Sequence, residues 1–374
     1  MTKRLLYIAN VRLPTEKAHG IQIMEMCAAF ADQGLSVELV IPRRYNFMKE
    51  DPFEYHDIRR IFPIRKIPSV TPLWLGSVGY FLGLVTFGVS AGIFSLFQKD
   101  ALFYTRDEFI ALCLRLCGRR VVWEGHTGQR NSIVRILIRL GVPFVVITTA
   151  LKDLYVSFGV EPANILVAPD GADITRFNIP LTQADARKEL CLPLDKTVVL
   201  YKGHLYEQKG AHTIARAAPL LVGKAELVFI GGNEPDVEAF KKEFDAYENV
   251  HILGNKPRRE TPIYQKAADF LVIPNSAKDD VSKLYTSPMK LFGYMASGVP
   301  IIASDLPSLR EILDESLVYF FTPDSPESFA EVLVRALATP EESKKKGEAT
   351  LVLAGEHSWQ KRAESITEFM ERIS

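Results

Sequence analysis

The sequence predicts an α/β protein with two Rossmann-like, doubly wound parallel sheets, and three observations support this prediction. Short apolar segments alternate with helical segments from residue 4 to residue 321, the order typical of βαβ units. A polar helical stretch over 181–192 interrupts the alternation, which then restarts. The 374 residues suffice for two domains with a core each,. We therefore expect two domains facing each other across a cleft at the carboxyl ends of their sheets.

The first domain is predicted over 1–178. It opens with a strand at 4–11, a helix at 20–33 whose apolar residues fall near one face, and a strand at 36–42,. The remaining segments are predicted as strands at 101–106, 120–126, 144–149 and from 164 onwards, with helices at 108–117 and 150–158.

The second domain is predicted over 179–355, and a terminal helix over 356–374. Its strands are predicted at 197–203, 225–232, 250–254, 269–274, 299–303 and 317–321, with helices at 209–222, 235–246, 261–267 and 307–313. The order again alternates strand and helix, which favours a second parallel sheet.

Charge and cysteine content limit the partners and the cellular compartment that we expect for this protein. The 45 Lys and Arg balance the 45 Asp and Glu, so no excess of positive charge indicates a nucleic-acid partner. The four cysteines show no C-x-x-C spacing and are interpreted as core thiols in a reducing compartment. The apolar part of the N-terminal segment is too short for a secretory signal. We expect a cytoplasmic protein.

An apolar segment over 69–98 contains no charged residue. Its length would suffice to span a bilayer, but Pro72 and five glycines dilute it. The first interpretation is a buried helix pair or a hydrophobic acceptor groove, and the alternatives are a surface that dips into a membrane or a true span. The basic residues just upstream would suit anionic head groups, although they could equally form a solvated loop face: Arg59, Arg60, Arg65 and Lys66.

The stretch 286–304 predicts a loop, a short helix, a tight turn and a strand. Ser287 is expected to cap the helix and Pro288 to take its first position. Gly298 suits the left-handed residue that ends a helix. Free amides and the positive dipole end would then lie at the edge of a sheet, where Lys290 adds a full charge. This combination predicts a phosphate site.

Two glycine-containing features add to this prediction. Lys209 lies between a strand and a helix in the segment 203–210, where glycines would let a ligand approach the backbone. The alternative is a surface lysine among turn glycines, but a second lysine at a similar strand end favours phosphate binding. Gly293 lies inside the short helix at a cost of about 1 kcal/mol relative to alanine. Either something approaches closely there, or a functional side chain has been lost.

Three motifs together resemble the retaining GT-B glycosyltransferases of family 4. They are G-x-L-x-x-x-K-G at 203–210, P-x-G-x-D at 169–173, and S-P-x-K-L-F-x-Y-M-A-S-G-x-P-I-I-A-S-D at 287–305. A final Ser358-Trp359 helix extends the resemblance over nearly the whole chain. The resemblance implies that this helix crosses back onto the first domain, and that the second domain binds a nucleotide-sugar donor.

The resemblance also implies roles for individual residues. Gly20 would let the backbone approach the donor phosphate, and Lys209 would bind the diphosphate. His126 would lie near the transferred sugar. The alternative is that His126 is a loop histidine whose hydrogen bonds are all made within the protein. His204 stands where the family has a second, permanently charged basic residue. The other implied donor-binding residues are Gly203, Gly210, Asn275, Thr286, Ser287, Met289, Lys290 and Gly293.

The paired glutamates usual in the family fall at Tyr285 and Gly293 here. The second glutamate would hold the nucleotide ribose, so its loss would weaken donor binding by about 1–3 kcal/mol. The resemblance implies transfer from a UDP- or GDP-sugar to a glycan or lipid-linked acceptor, without a metal, and the sequence shows no D-x-D pair. The alternatives are a degenerate member that binds a nucleotide-sugar or a partner protein without efficient turnover and, less favoured, a sugar-nucleotide epimerase.

Overall fold

A computed structural model describes residues 3–373 and divides the chain into two compact units. The first unit runs to Pro169 and takes up the chain again from Trp359. The second unit is Asp170–Ser358. Each unit contains one parallel sheet with helices around it, as predicted.

The sheet of the first unit has 7 strands in the order β3-β2-β1-β4-β5-β6-β7. Its strands are β1 Arg4–Ile8, β2 Ser36–Arg43, β3 Ile64–Pro68, β4 Ala101–Thr105, β5 Val121–Gly125, β6 Phe144–Val146 and β7 Ile165–Val167. The order changes direction between β1 and β4, and ligands of doubly wound sheets bind at the carboxyl ends of the strands at such a point.

The helices of the first unit include elements that the sequence reading did not predict. They are α1 Ala18–Asp32, α2 Pro52–His56, α3 Gly76–Leu96, α4 Glu108–Leu116, α5 Ser132–Arg139 and α6 Thr149–Ser157. Strand β3, α2 and α5 were missed because they are short. The prediction of a buried helix pair over 69–98 is wrong, since α3 is a single helix of 21 residues with most of its large side chains exposed.

The sheet of the second unit has 6 strands in the order β10-β9-β8-β11-β12-β13. They are β8 Val198–Lys202, β9 Glu226–Ile230, β10 Val250–Gly254, β11 Phe270–Ile273, β12 Ile301–Ser304 and β13 Tyr319–Phe321. The helices are α7 Gln183–Glu189, α8 Ala211–Arg216, α9 Glu234–Phe244, α10 Thr261–Ala267, α11 Asp280–Leu284, α12 Met289–Ser297, α13 Pro307–Arg310, α14 Pro326–Ala338 and α15 Pro340–Ala354.

Core clusters cover both faces of the second sheet, so its strands are mostly apolar,. Along β8, Val199 and Tyr201 join one cluster, and Val198 and Leu200 join the other. Because side chains alternate along a strand, Lys202 falls on the face of Val198 and Leu200. That face is the one that α12 covers.

The chain enters the second unit earlier than the predicted residue 178. A 3-10 helix, Ile174–Phe177, packs against α12 and therefore belongs to this unit. The last helix, α16 Trp359–Arg372, packs against α1 of the first unit.

Candidate active site

Three loops meet, backbone against backbone, at the carboxyl edge of the second sheet. Gly210, which ends the segment after β8, has φ 76°, and a Cβ on it would lie 1.6 Å from the carbonyl oxygen of Pro274 after β11. Gly231, after β9, has φ 109°, and its Cβ would lie 2.4 Å from the carbonyl oxygen of Gly203. Only glycine fits these close approaches. The backbone around Lys209 is therefore fixed by its neighbours.

Two lysines lie close together at this edge. Lys290, in the first turn of α12, has a buried Nζ that reaches no hydrogen-bond acceptor among residues 3–373. The Nζ lies 4.5 Å from the ring centroid of Tyr201, a cation–π contact,. Burial holds the pKa of Lys290 well below its ordinary value, and the charge of Lys209 lowers it further. The half-buried Lys209 also has a pKa lowered by burial. A bound anion at this edge would raise the pKa of both lysines toward the ordinary value.

A third lysine, Lys202, ends β8 and was missed by the sequence reading. Its backbone N–H donates to the Tyr294 hydroxyl at 2.9 Å. Burial lowers the pKa of Lys202 to about 7, and the positive charges of Arg258 and Arg176 lower it further. The sequence signal was available, because a lysine that follows an apolar strand and precedes Gly203 lies at the carboxyl edge of its sheet.

Ser287 does not cap α12, and the sequence prediction on this point is wrong. The Ser287 hydroxyl accepts a hydrogen bond from the backbone N–H of Asp170 at 3.1 Å, within the P-x-G-x-D segment. Pro288 takes the N-cap position without a side-chain hydrogen bond, and α12 begins at Met289. Its first amides are therefore left without a side-chain cap. Gly298, with φ 68°, ends the helix as predicted.

The two remaining polar candidates differ in their contacts. The Thr286 hydroxyl donates to the backbone carbonyl of Val281 at 2.7 Å, so it already has a partner within its own loop. Asn275 follows β11 and is buried, and its Oδ1 has no hydrogen-bond partner among residues 3–373. A buried amide oxygen without a partner is unfavourable. Asn275 therefore stays a candidate for ligand contact, and Thr286 contributes at most its backbone.

Gly293 is explained by a close approach within the second unit. A Cβ on Gly293 would lie 3.0 Å from Cζ of Phe177, whose ring belongs to the 3-10 helix packed on α12. The space that a longer side chain would need is thus taken by an aromatic ring. This contact accounts for a glycine in the middle of a helix, and it could not be read from local sequence.

His204 lies in the loop after Gly203 and stacks on Tyr206. The ring centroids are 5.2 Å apart with an interplanar angle of 25°. The backbone carbonyl of His204 accepts from the Tyr201 hydroxyl at 2.6 Å, which anchors the loop.

In the first unit, several polar side chains donate hydrogen bonds to one buried glutamate at the carboxyl edge of the sheet. Glu124, in β5, accepts from Nε2 of His126 at 2.7 Å, Nε2 of Gln22 at 2.7 Å and Nη2 of Arg362 at 2.8 Å. The hydroxyl of Tyr104 also donates to it. Burial alone would raise the pKa of Glu124, but the charges of Arg362 and His126 hold it well below its usual range.

His126 is therefore held in position by a buried ionised carboxylate, which fixes one ring nitrogen as the donor. Neither Glu124 nor Arg362 was among the predicted site residues. Glu124 offered a signal, since a carboxylate at the end of the apolar run 120–126 has to be paired. Arg362 offered none, because its partner lies 238 residues away in the chain.

Gly20 lies at the start of α1. A Cβ on Gly20 would lie 2.2 Å from Cγ2 of Thr15, so the close packing of this loop already requires glycine. Beside it, burial lowers the pKa of His19 to about 4, and the positive charges of Arg106, Lys17 and Arg44 lower it further. The N-terminal end of α1 is thus an electropositive region.

Comparison with known proteins agrees with this geometry. Residues 182–352, which include Lys202, Lys209 and Lys290, match the family model of the glycosyl transferases group 1. The chain is 26% identical over 171 residues, 45% of its length, to a putative teichuronic acid biosynthesis glycosyltransferase, TuaC, of Bacillus subtilis. It is 23% identical over 238 residues, 60% of its length, to a D-inositol 3-phosphate glycosyltransferase of Corynebacterium urealyticum. These matches span 40% and 54% of the two relatives' own lengths.

The fold is shared over the whole chain. A crystal structure of Anabaena HepE in complex with UDP and glucose superposes with a TM-score of 0.76 at 14% identity, covering 99% of this chain and 100% of that one. The predicted fold is confirmed by this match. The family-model match over residues 182–352 agrees with the predicted enzyme class, a glycosyltransferase. Residues 182–352 therefore resemble a group 1 glycosyltransferase domain, and the chain shares the GT-B fold over nearly its whole length.

Proposed function

We propose that the protein transfers a sugar from a UDP- or GDP-sugar to a glycan or lipid-linked acceptor, with retention at the anomeric carbon. One observation carries the proposal: Lys209 and the buried, partnerless Nζ of Lys290 lie together at the carboxyl edge of the second sheet. Two close cations with no acceptor for Lys290 fit a dianionic ligand such as a diphosphate. The likeness to HepE, whose structure contains UDP and glucose, agrees with this donor class.

The chemistry follows from where charge develops. The bond between the anomeric carbon and the diphosphate oxygen breaks, leaving an oxocarbenium-like sugar and a diphosphate that gains negative charge. Lys209, Lys290 and the uncapped amides at Met289 stabilise that charge more strongly in the transition state than in the substrate. A bound diphosphate favours the charged form of Lys290, because the anion raises the pKa that burial depresses,. The oxygen of the acceptor hydroxyl then bonds to the anomeric carbon on the same face, and its proton passes to the departing diphosphate oxygen.

The remaining site residues have positioning roles in this proposal. His126, oriented by Glu124, contacts the transferred sugar. Gly20 and the α1 N-terminus present backbone to the donor phosphate. Gly203 and Gly210 shape the diphosphate loop, and the buried Oδ1 of Asn275 accepts from the donor. The lysines supply the positive charge, so we propose that no metal is needed.

The matches do not favour the alternative of a binding protein without turnover. The Lys209 and Lys290 pair retains the cations on which leaving-group stabilisation depends. The epimerase alternative has no support from the described residues either.

A thermal-shift panel with UDP, GDP, ADP and their sugar conjugates tests the proposal. One nucleotide series should stabilise the protein, by about 2.7 kcal/mol at a hundredfold excess over Kd. Lys209→Ala should abolish this stabilisation, whereas Lys241→Ala, an exposed lysine on α9, should leave it unchanged. If no nucleotide stabilised the protein at saturating concentration, the proposal would be refuted.

A further inference from the structure

The packed side of helix α3 is rich in glycine and other small residues. A Cβ on Gly79 would lie 2.0 Å from the Pro72 carbonyl oxygen, and one on Gly83 would lie 2.5 Å from Oγ1 of Thr71. A Cβ on Gly88 would lie 2.6 Å from the Phe109 ring. At these glycines the helix backbone lies directly on its neighbours, and Phe87 and Ala91 are also buried on the packed side.

The opposite face of α3 carries large apolar side chains in solvent. Phe81 is 63% exposed, Ile93 55% and Val89 51%. The helix and its flanking turns expose further large apolar residues: Val70, Trp74, Leu75, Val78, Tyr80, Leu82, Leu96 and Phe97. An ordinary amphipathic helix buries its large apolar residues and exposes polar ones. Here the arrangement is reversed, which indicates a surface that meets an apolar partner.

The rim of this surface is basic. The segment before α3 carries Arg59, Arg60, Arg65 and Lys66, and the three arginines are ion-paired with Asp32, Asp51 and Glu38. The guanidinium of Arg65 lies 5.8 Å from the ring centroid of Phe94, on α3 itself. Arg119 donates to the carbonyl of Leu96 at the C-terminal end of the helix. Lys66 is exposed. An apolar strip bordered by cations matches the acyl chains and head groups of an anionic bilayer.

We propose that α3 lies in the plane of an anionic membrane surface, with its outer face among the acyl chains and its basic rim at the head groups. By length and composition the helix could also cross a membrane. The packing of α3 on α4 argues for the in-plane position, because a spanning helix would lose the close contact between Gly88 and Phe109. This inference rests on the first unit alone and uses none of the contacts that carry the proposed function.

Vesicle co-sedimentation of the full chain tests the proposal. The protein should bind vesicles of equal parts phosphatidylcholine and phosphatidylglycerol, and more weakly those of phosphatidylcholine alone. Phe81→Ser with Ile93→Ser should weaken binding to both by roughly tenfold or more. The control Leu220→Ser with Val222→Ser changes side chains of similar exposure, 48% and 50%, in the second unit and should bind like the parent. Lys66→Glu should weaken binding only to the anionic vesicles.

Other outcomes would overturn the proposal. Failure of the parent to bind either vesicle would do so, as would unchanged binding by the Phe81→Ser, Ile93→Ser variant. Sedimentation without lipid could instead show a concentration-dependent dimer of the parent that the Phe81→Ser, Ile93→Ser variant does not form. That result would assign the surface to a second copy of the chain. Nucleotide stabilisation of this variant should equal that of the parent, which separates this test from the test of the donor site and shows that the variant folds.

Discussion

Burial, assisted by neighbouring positive charges, lowers the pKa of both Lys290 and Lys202 at the candidate site. Both lie at the carboxyl edge of the second sheet, and burial is the main cause of the depressed pKa of each. A lysine in this state gains most from an anion, because binding restores its proton and its charge together. The same property makes the free protein sensitive to pH.

We expect Lys202→Met to change how stability depends on pH. The folded protein releases the Lys202 proton at pH about 7, whereas the unfolded chain keeps it until about pH 10.4. Between these values the unfolded state binds the extra proton, so Lys202 makes the free energy of unfolding rise with pH. Urea denaturation of wild type and variant between about pH 7 and about pH 9 should show a shallower rise for the variant. Lys241→Met should follow the wild type, and parallel curves for Lys202→Met would contradict the assignment.

Gly293→Glu should destabilise the protein by about 1–3 kcal/mol, because the new side chain meets the Phe177 ring,. Adding Phe177→Ala should recover part of this loss, which urea denaturation of both variants would show. If the carboxylate then reaches the donor ribose, nucleotide affinity should rise by about 1–3 kcal/mol relative to Phe177→Ala alone. Equal destabilisation with and without Phe177 would show that the ring is not the obstacle.

The loops after β8, β9 and β11 form an element whose geometry depends on backbone contacts rather than on side chains. Gly210 and Gly231 each bring one loop against the carbonyl oxygen of another. Such contacts hold the loop around Lys209 in place without a ligand, and preorganisation of this kind lowers the cost of binding.

Comparing Gly210→Ala with Gly223→Ala separates the stability effect of the loop contact from that of the left-handed backbone conformation. Both glycines are left-handed, with φ 76° and φ 70°, but only Gly210 has backbone within reach of a Cβ. Gly223→Ala should cost about 1–2 kcal/mol for the conformation alone. Gly210→Ala should cost at least about 4 kcal/mol, since the loops have to separate. Denaturant unfolding measures both, and equal costs would rule out the loop contact as the reason for Gly210.

On the scale of the whole molecule, the chain closes its first unit with its own last helix. Arg362, on α16, donates to the carbonyls of Ala168 and Pro169 as well as to Glu124. The charge that offsets the buried carboxylate therefore arrives only when residues 359–373 are in place. Orientation of His126 depends on the same ion pair.

Arg362→Met should destabilise the protein by about 3–5 kcal/mol, because it leaves Glu124 buried without its strongest partner charge,. Adding Glu124→Gln should restore part of the loss, since the pair is then removed together. Lys361→Met, an exposed neighbour on α16, should cost little. A double-mutant cycle in urea measures the coupling, and strict additivity would show that the two groups act independently.

The sequence by itself determined the two parallel sheets. The spacing of apolar residues along the chain is a local property, and it differs between strands and helices. It also located Lys209, Lys290, His126 and the helix end at Gly298, since residues that follow apolar strands collect at the carboxyl edge of a parallel sheet. Short elements such as β3 and α5 were missed because a few residues carry too little periodicity.

Only the tertiary structure decided which distant groups meet. Phe177 over Gly293, Arg362 on Glu124, and the Ser287 hydroxyl on the Asp170 amide join segments separated in sequence. The tertiary structure also decided which side of α3 is exposed. In an uncharged, apolar helix the sequence does not show which side packs against the rest of the unit. The physical reason is common to all four. Local sequence sets the conformation of a segment, whereas the partner of a side chain depends on the path of the whole chain.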